Sequence, residues 1–71
     1  MDEIKLLDVV ALIDELHSQG LRRGEVGTVV EEWMDNVFEV EFSDGSGKTY
    51  AFATLRAEQL MKLHFQKDEA A

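Results

Sequence analysis

The sequence predicts an all-β protein, built as a small antiparallel barrel of five strands with one helical turn before the last strand. Three observations support this prediction. Apolar and polar residues alternate over residues 37–42, which is typical of a strand with one buried face. Turn residues recur at short intervals, and the segments between the predicted strands are too short for crossover helices. We therefore expect a single domain over residues 1–65, with a disordered tail over residues 66–71.

The first predicted element, within residues 4–16, fits two patterns. Its apolar residues recur at helical spacing, so that one face of a helix would be apolar. Residues 7–12 are also nearly all apolar, and the β-branched Val9 and Val10 at their centre suit a strand. We favour the strand, because the core of a barrel would otherwise come from too few strands.

A polar loop is predicted next, over residues 14–24, where Gly20 and Gly24 allow backbone angles that other residues resist. A strand over residues 25–33 follows the loop. Gly27 lies inside this strand, and a glycine in a strand usually marks a bulge or a bend where another backbone comes close. Gly27 therefore predicts the corner of a small barrel.

The elements around the alternating strand complete the barrel. A tight turn at residues 34–36 precedes the alternating strand, and an Asp-Gly hairpin turn at residues 43–47 follows it. A strand at residues 48–55, a helical turn at residues 56–60 and a short last strand at residues 61–65 come next. This order of elements predicts an SH3-like arrangement.

Charge sets the kind of partner that the chain can attract. Seven basic and fifteen acidic residues give the 71-residue chain a formal net charge of -8. This charge repels phosphate backbones and anionic lipid, which argues against nucleic acid and membrane partners and favours a basic partner protein. The alternative is that the acidic residues serve only solubility. The chain begins with acidic residues, whereas a secretory signal begins with basic ones, and it has no apolar run long enough for a membrane span. We therefore expect a cytoplasmic protein.

The chain has no cysteine and only two histidines, His17 and His64, so neither a disulfide nor a structural zinc site is expected. No cofactor is predicted. A domain of this size is marginally stable on its own, and a second copy or a partner would help to complete its core. Association, including homo-oligomer formation, is therefore part of the prediction.

No segment predicts catalysis. Residues 45–49 look like the end of a phosphate-binding loop, but that motif needs a glycine at the position of Phe42 and a helix after it. A hairpin turn is predicted there instead. Neither histidine has a serine or cysteine nucleophile at a recognisable spacing, and both are expected at the surface. We therefore predict that the protein is not an enzyme.

Five residues are predicted to contact a partner: Arg22, Arg23, Trp33, Glu39 and Glu41. The two arginines form a doubled basic pair, and guanidinium groups bind carboxylates and phosphates; the alternative is that they balance nearby acids. The tryptophan ends a strand, where it either closes the barrel or anchors an interface. The two glutamates lie on the wet face of the alternating strand, where they either dock a basic partner or simply face water.

Residues 21–31, 38–44 and 49–51 resemble a bacterial family of short proteins catalogued as domain of unknown function 4926. The likeness runs over about residues 6–64, which is most of the chain. The resemblance implies a single-domain SH3-like β protein of the cytoplasm, and it carries no established activity. The Gly-Glu-Val-Gly-Thr-Val segment at residues 24–29 is also similar to the KOW motif of ribosomal and transcription proteins, although the net charge argues against RNA.

These observations predict a noncatalytic protein-interaction module, an acidic small barrel that binds a partner protein through the predicted contact residues or an open strand edge. A specific form is a neutraliser of a basic toxin or enzyme, similar to an antitoxin or immunity protein. The alternative is a KOW-like nucleic-acid-binding domain that uses Arg22, Arg23 and Lys48.

Overall fold

The computed structural model describes residues 3–65, and their regular structure consists of strands and two single-turn 3-10 helices. The strands are β1 (Val9–Leu12), β2 (Val26–Met34), β3 (Val37–Ser43), β4 (Thr49–Arg56) and β5 (Leu60–Lys62). The 3-10 helices are His17–Gln19 and Ala57–Gln59. The all-β prediction is confirmed, including the helical turn before the last strand. No helix among residues 3–65 has the length and apolar character needed to cross a bilayer. The predicted tail at residues 66–71 lies outside the described residues.

The strands form one antiparallel sheet, in the order β4-β3-β2-β1-β5. β1 lies between β2 and the last strand, so that Val10 pairs with Gly27 on one side and with Lys62 on the other. β2 pairs with β1 through its first residues and with β3 along most of its length. This strand order, with a helical turn leading into β5, is the predicted SH3-like arrangement.

The core lies on the inner face of the curled sheet. Seven fully buried side chains come from alternate positions of β1 to β4: Val10, Leu12, Val29, Phe38, Val40, Phe42 and Leu55. β3 shows the pattern most clearly, since every second residue is buried. Full burial of a Val, Leu or Phe side chain contributes about 1.5–3 kcal/mol. The period of two therefore determines which face of each strand turns inward.

The predicted close approach of two backbones is found at Gly27. Gly27 is buried, and it pairs with Val10 on β1 and with Phe42 on β3. A Cβ atom at this position would lie 2.8 Å from the carbonyl oxygen of Glu41. Glycine is required here for space, because the neighbouring backbone occupies the volume of a side chain.

The first element is a strand, as favoured, but it begins at Val9 rather than at residue 7. Leu7 has a φ of 72°, a left-handed value that a strand cannot contain. A turn holds this conformation: the Asp8 side chain accepts the backbone N–H of Lys5 at 2.7 Å, and the backbone N–H of Leu7 donates to the carbonyl of Val29 at 2.7 Å. The helical alternative is wrong, because β1 pairs with β2 on one side and with β5 on the other.

Candidate partner-binding surface

Two of the predicted contact residues, Glu39 and Glu41, lie on the outer face of β3. They alternate with the buried residues of that strand, so their side chains turn away from the core. Glu39 is paired with Glu31 on β2 and with Thr54 on β4. We call Glu31, Glu39 and Glu41 together the acidic face.

Trp33 lies beside the acidic face, near the end of β2. Its indole Nε1–H donates to Oε1 of Glu39 at 3.2 Å, and the same oxygen accepts the hydroxyl of Thr54 at 2.7 Å. Trp33 is 59% exposed, so it does not close the barrel, and that alternative is wrong. The Glu39 carboxylate, which Thr54 of β4 helps to position, therefore holds the indole on an open surface.

Glu41 is positioned in a similar way on the same strand. Its Oε2 accepts a hydrogen bond from the hydroxyl of Thr49. Its neighbour on β4 is Phe52, which is 56% exposed. The acidic face is therefore flanked by two exposed aromatic side chains, Trp33 next to Glu39 and Phe52 next to Glu41.

Like charges face each other on the acidic face. Glu31 and Glu39 are directly opposite in the pairing of β2 with β3. Like charges in this position destabilise a sheet. The ion pairs among residues 3–65 lie elsewhere, at Arg56–Glu58 and Lys62–Asp8. A cationic group placed between Glu31 and Glu39 would relieve their repulsion.

The predicted arginines lie at the opposite end of β2 from Trp33. Arg22 and Arg23 are in the loop before β2, whereas Trp33 is near the end of that nine-residue strand. The backbone N–H of Arg22 donates to the side chain of Glu25 at 2.5 Å, and that of Arg23 donates to the side chain of Glu15. Acidic groups therefore lie beside the arginines, and the structure does not combine the five predicted residues in one site.

A contact that the sequence does not predict joins Tyr50 to Glu25. The hydroxyl of Tyr50 donates to Oε1 of Glu25 at 2.6 Å, and the ring centroids of Tyr50 and Phe42 are 6.4 Å apart. The hydrogen bond from Tyr50, followed by one from the backbone of Arg22, lowers the pKa of Glu25. The same bond to Glu25, followed by burial, raises the pKa of Tyr50. The pair ties the start of β4 to the start of β2 across 25 residues of sequence, a separation that gives no local signal.

The segment that looks like part of a phosphate loop is a hairpin turn, as predicted. Oδ1 of Asp44 accepts the backbone N–H groups of Ser46 at 2.9 Å and Lys48 at 3.0 Å. The hydroxyl of Ser46, followed by these N–H groups, lowers the pKa of Asp44. A strand, β4, follows the turn. The N–H groups that would bind a phosphate are therefore directed at Asp44.

Both histidines are exposed, as expected. His17 lies in the first 3-10 helix, and His64 follows β5. Within residues 3–65, no three side chains of His, Cys, Asp or Glu come close enough together to hold a metal ion.

Comparisons with curated proteins and with solved structures give no match to the chain. The sequence model of one family, described as a domain of unknown function, matches residues 6–62. The matched part is most of the 71-residue chain and extends from before β1 to the end of β5. The chain therefore belongs to the domain of unknown function 4926 family (DUF4926).

Proposed function

We propose that the protein is a noncatalytic interaction module that binds a basic partner protein through the acidic face and Trp33. The observation that carries the proposal is the pair of Glu31 and Glu39, which face each other across β2 and β3 beside the exposed indole. A lysine or arginine of the partner, placed between the two carboxylates, would replace their repulsion by two attractive contacts. The free protein bears this repulsion and the complex does not, so binding gains free energy.

Trp33 would supply the apolar part of the interface. Tryptophan is enriched among the residues that dominate binding energy. Its Nε1–H already donates to Glu39 at 3.2 Å, so covering the indole leaves no polar group without a hydrogen bond. The hydroxyls of Thr49 and Thr54 hold the carboxylates of Glu41 and Glu39 before binding, which reduces the entropy lost on association.

An interaction role suits the acidic face better than catalysis does. Paired carboxylates act as acid and base where their environments move their pKa values apart. The acidic face lies on the outer side of the sheet, and within residues 3–65 no polar or charged residue is buried. The proposal therefore includes no reaction and no cofactor.

A specific form of the proposal is a neutraliser that covers the basic site of a toxin or enzyme in the bacterial cytoplasm. A net charge of -8 would speed its encounter with a basic partner. The nucleic-acid alternative uses Arg22, Arg23 and Lys48. It has weaker support, because Glu15 and Glu25 lie beside the arginines and the net charge repels phosphate.

Affinity capture from the native cell, followed by mass spectrometry, tests the proposal. The baits are the full chain, its triple Glu→Gln variant of the acidic face, and Trp33→Ala. The control is E3Q/D14Q/E58Q, which removes the same number of negative charges from exposed positions elsewhere. A basic protein that is retained by the wild type and the control, but lost from both other variants, is the expected result.

Retention of the same proteins by all four baits would contradict the assignment of the surface. Recovery of nucleic acid, lost after nuclease treatment, would support the KOW-like alternative instead. The purified partner should bind more weakly at high salt, because ions screen exposed charge contacts.

A further inference from the structure

Strand β4 lies at a border of the sheet. It pairs with β3 on one side, and within the described residues no strand pairs with its other side. The open edge is eight residues long, whereas β5 at the opposite border has three. An open edge presents unpaired N–H and C=O groups to other strands, and proteins usually protect it with charged residues, prolines or bulges.

The edge of β4 has little of this protection. Residues 49–55 include no charged residue and no proline, in a chain in which 31% of the residues are charged. A register shift next to Phe42 and Ser43 affects only the start of the strand. Tyr50 and Phe52 of β4 are 50% and 56% exposed. Residues 49–55 of the border are therefore uncharged and partly apolar, so a second strand can approach them without electrostatic repulsion.

Each end of β4 has charged groups of both signs, with Lys48 beside the first strand residue and Glu58 beside Arg56. At its start, Tyr50 binds the carboxylate of Glu25 at 2.6 Å, and Asp44 also acts electrostatically on Tyr50. At its end is the exposed Arg56, whose guanidinium is 3.3 Å from Glu58. When two copies of β4 pair in antiparallel fashion, the end of each strand comes beside the start of the other. Arg56 of each copy then approaches Tyr50 of the other copy and the Glu25 carboxylate that Tyr50 binds.

We propose that β4 pairs antiparallel with β4 of a second copy of this chain, which joins the two sheets across a two-fold axis. Such an isologous contact satisfies the open edges of both copies at once. A basic partner strand would gain less at this edge, because the acidic face lies on β2 and β3. The pairing does not depend on the proposed function, and it leaves the acidic face open.

Charge also selects the register of the pairing. If the two-fold axis passes through Ala53, Phe52 lies opposite Thr54 of the second copy. If it passes through Phe52, Lys48 lies opposite Arg56 of the second copy, and like charges so placed are unfavourable. The register centred on Ala53 is therefore the one proposed.

Analytical ultracentrifugation over a wide range of protein concentration tests the pairing. One pair of strand edges buries less than the ~1,600 Å² of a standard interface, so the dimer should be weak. The average mass is expected to rise with concentration from that of one chain toward that of two. Phe52→Lys should weaken the dimer by about tenfold or more, because it places a charge at the centre of the paired edge.

Met61→Lys is the matched control. Met61 is 53% exposed, close to the exposure of Phe52, and it lies on β5 at the opposite border of the sheet. This variant is expected to dimerise like the wild type. A monomer at every concentration would overturn the proposal, and so would a dimer that Met61→Lys disrupts while Phe52→Lys does not.

Disulfide trapping reads the register without relying on a destabilising variant, because the chain has no cysteine of its own. An equimolar mixture of F52C and T54C chains should form a disulfide-linked pair on mild oxidation, since opposed residues lie within disulfide reach. F52C alone should stay a single chain. Cross-linking of F52C alone would overturn the register, and no cross-linking at concentrations where the wild type is dimeric would overturn the pairing of β4.

Discussion

A Cβ atom on Gly27 would lie 2.7 Å from Cγ1 of Val40, so β2 and β3 approach each other here more closely than any other residue type at position 27 would allow. The carbonyl oxygen of Glu41 lies on the same side, at 2.8 Å from that Cβ position. Gly27 also pairs with Val10 on β1. The close approach therefore occurs where β2 pairs with β1 on one side and with β3 on the other.

Gly27→Ala is expected to destabilise the protein by about 1–3 kcal/mol, the usual range for overpacking a core. The added methyl would have to displace the side chain of Val40 and the backbone of Glu41. Urea unfolding followed by circular dichroism measures the loss as a lower midpoint at unchanged slope. Gly45→Ala is the control, because a Cβ there meets no atom within 4 Å. Similar losses in the two variants would show that the close approach is not the cause.

Tyr50→Phe is expected to change how stability depends on pH. The hydrogen bond from Tyr50 to Glu25 lowers the pKa of Glu25. The stability that this bond contributes is therefore present above the ordinary glutamate pKa of about 4.3 and is lost as the pH falls through the lowered value. The bond raises the pKa of Tyr50, so its contribution is fully present below the ordinary tyrosine pKa of about 10 and is lost as the pH rises through the raised value.

Between these limits, Tyr50→Phe should lower the free energy of unfolding by about 0.5–1 kcal/mol. This is the low part of the range for a hydrogen bond, because Tyr50 is half exposed. Unfolding curves of the wild type and the variant at a series of pH values measure the difference. The contribution of Asp44 to the pH dependence cancels in this comparison, because its hydrogen bonds to the turn are the same in both proteins. The chain has one tyrosine, so ultraviolet titration reports its pKa directly. An ordinary tyrosine pKa, or a pH-independent difference, would argue against the bond.

Glu31→Gln is expected to stabilise the free protein by a few tenths of a kcal/mol, up to about 1 kcal/mol, because it removes a like-charge pair with Glu39. Unfolding at low and high ionic strength measures the effect, which should shrink as salt screens the charges. Glu32→Gln changes the net charge equally, but Glu32 is paired with Phe38. Equal stabilisation by both variants would assign the effect to net charge rather than to the pair.

The local pattern of residues predicted most of the strands. The alternation at residues 37–42 corresponds to β3, Val37–Ser43. The turns predicted at residues 34–36 and 43–47 overlap strands at Met34 and Ser43. The last strand, predicted at residues 61–65, is shorter and runs from Leu60 to Lys62. The predicted start of β1 at residue 7 was wrong, because Leu7 is apolar like its neighbours and fits the pattern of a strand. Its left-handed backbone is held by the side chain of Asp8 and by the distant carbonyl of Val29, so the residue type at position 7 does not reveal it.

The candidate surface was predictable only in part. Alternation along β3 placed Glu39 and Glu41 on the outer face. The contact of Trp33 with Glu39 depends on register shifts in β2, after Val29 and after Glu32, and such bulges leave no clear mark in the residue pattern. Residue type alone grouped these positions with the arginines, which lie at the other end of β2.

Residue type and local spacing were enough to predict most of the strands, the close approach at Gly27 and the negative charge of the protein. The folded chain was needed to show that Trp33 lies beside Glu39, that Tyr50 reaches Glu25 and that the arginines lie at the opposite end of β2 from Trp33. These relationships join residues distant in sequence. They depend on strand register, bulges and the curl of the whole sheet, which no short pattern of residues encodes.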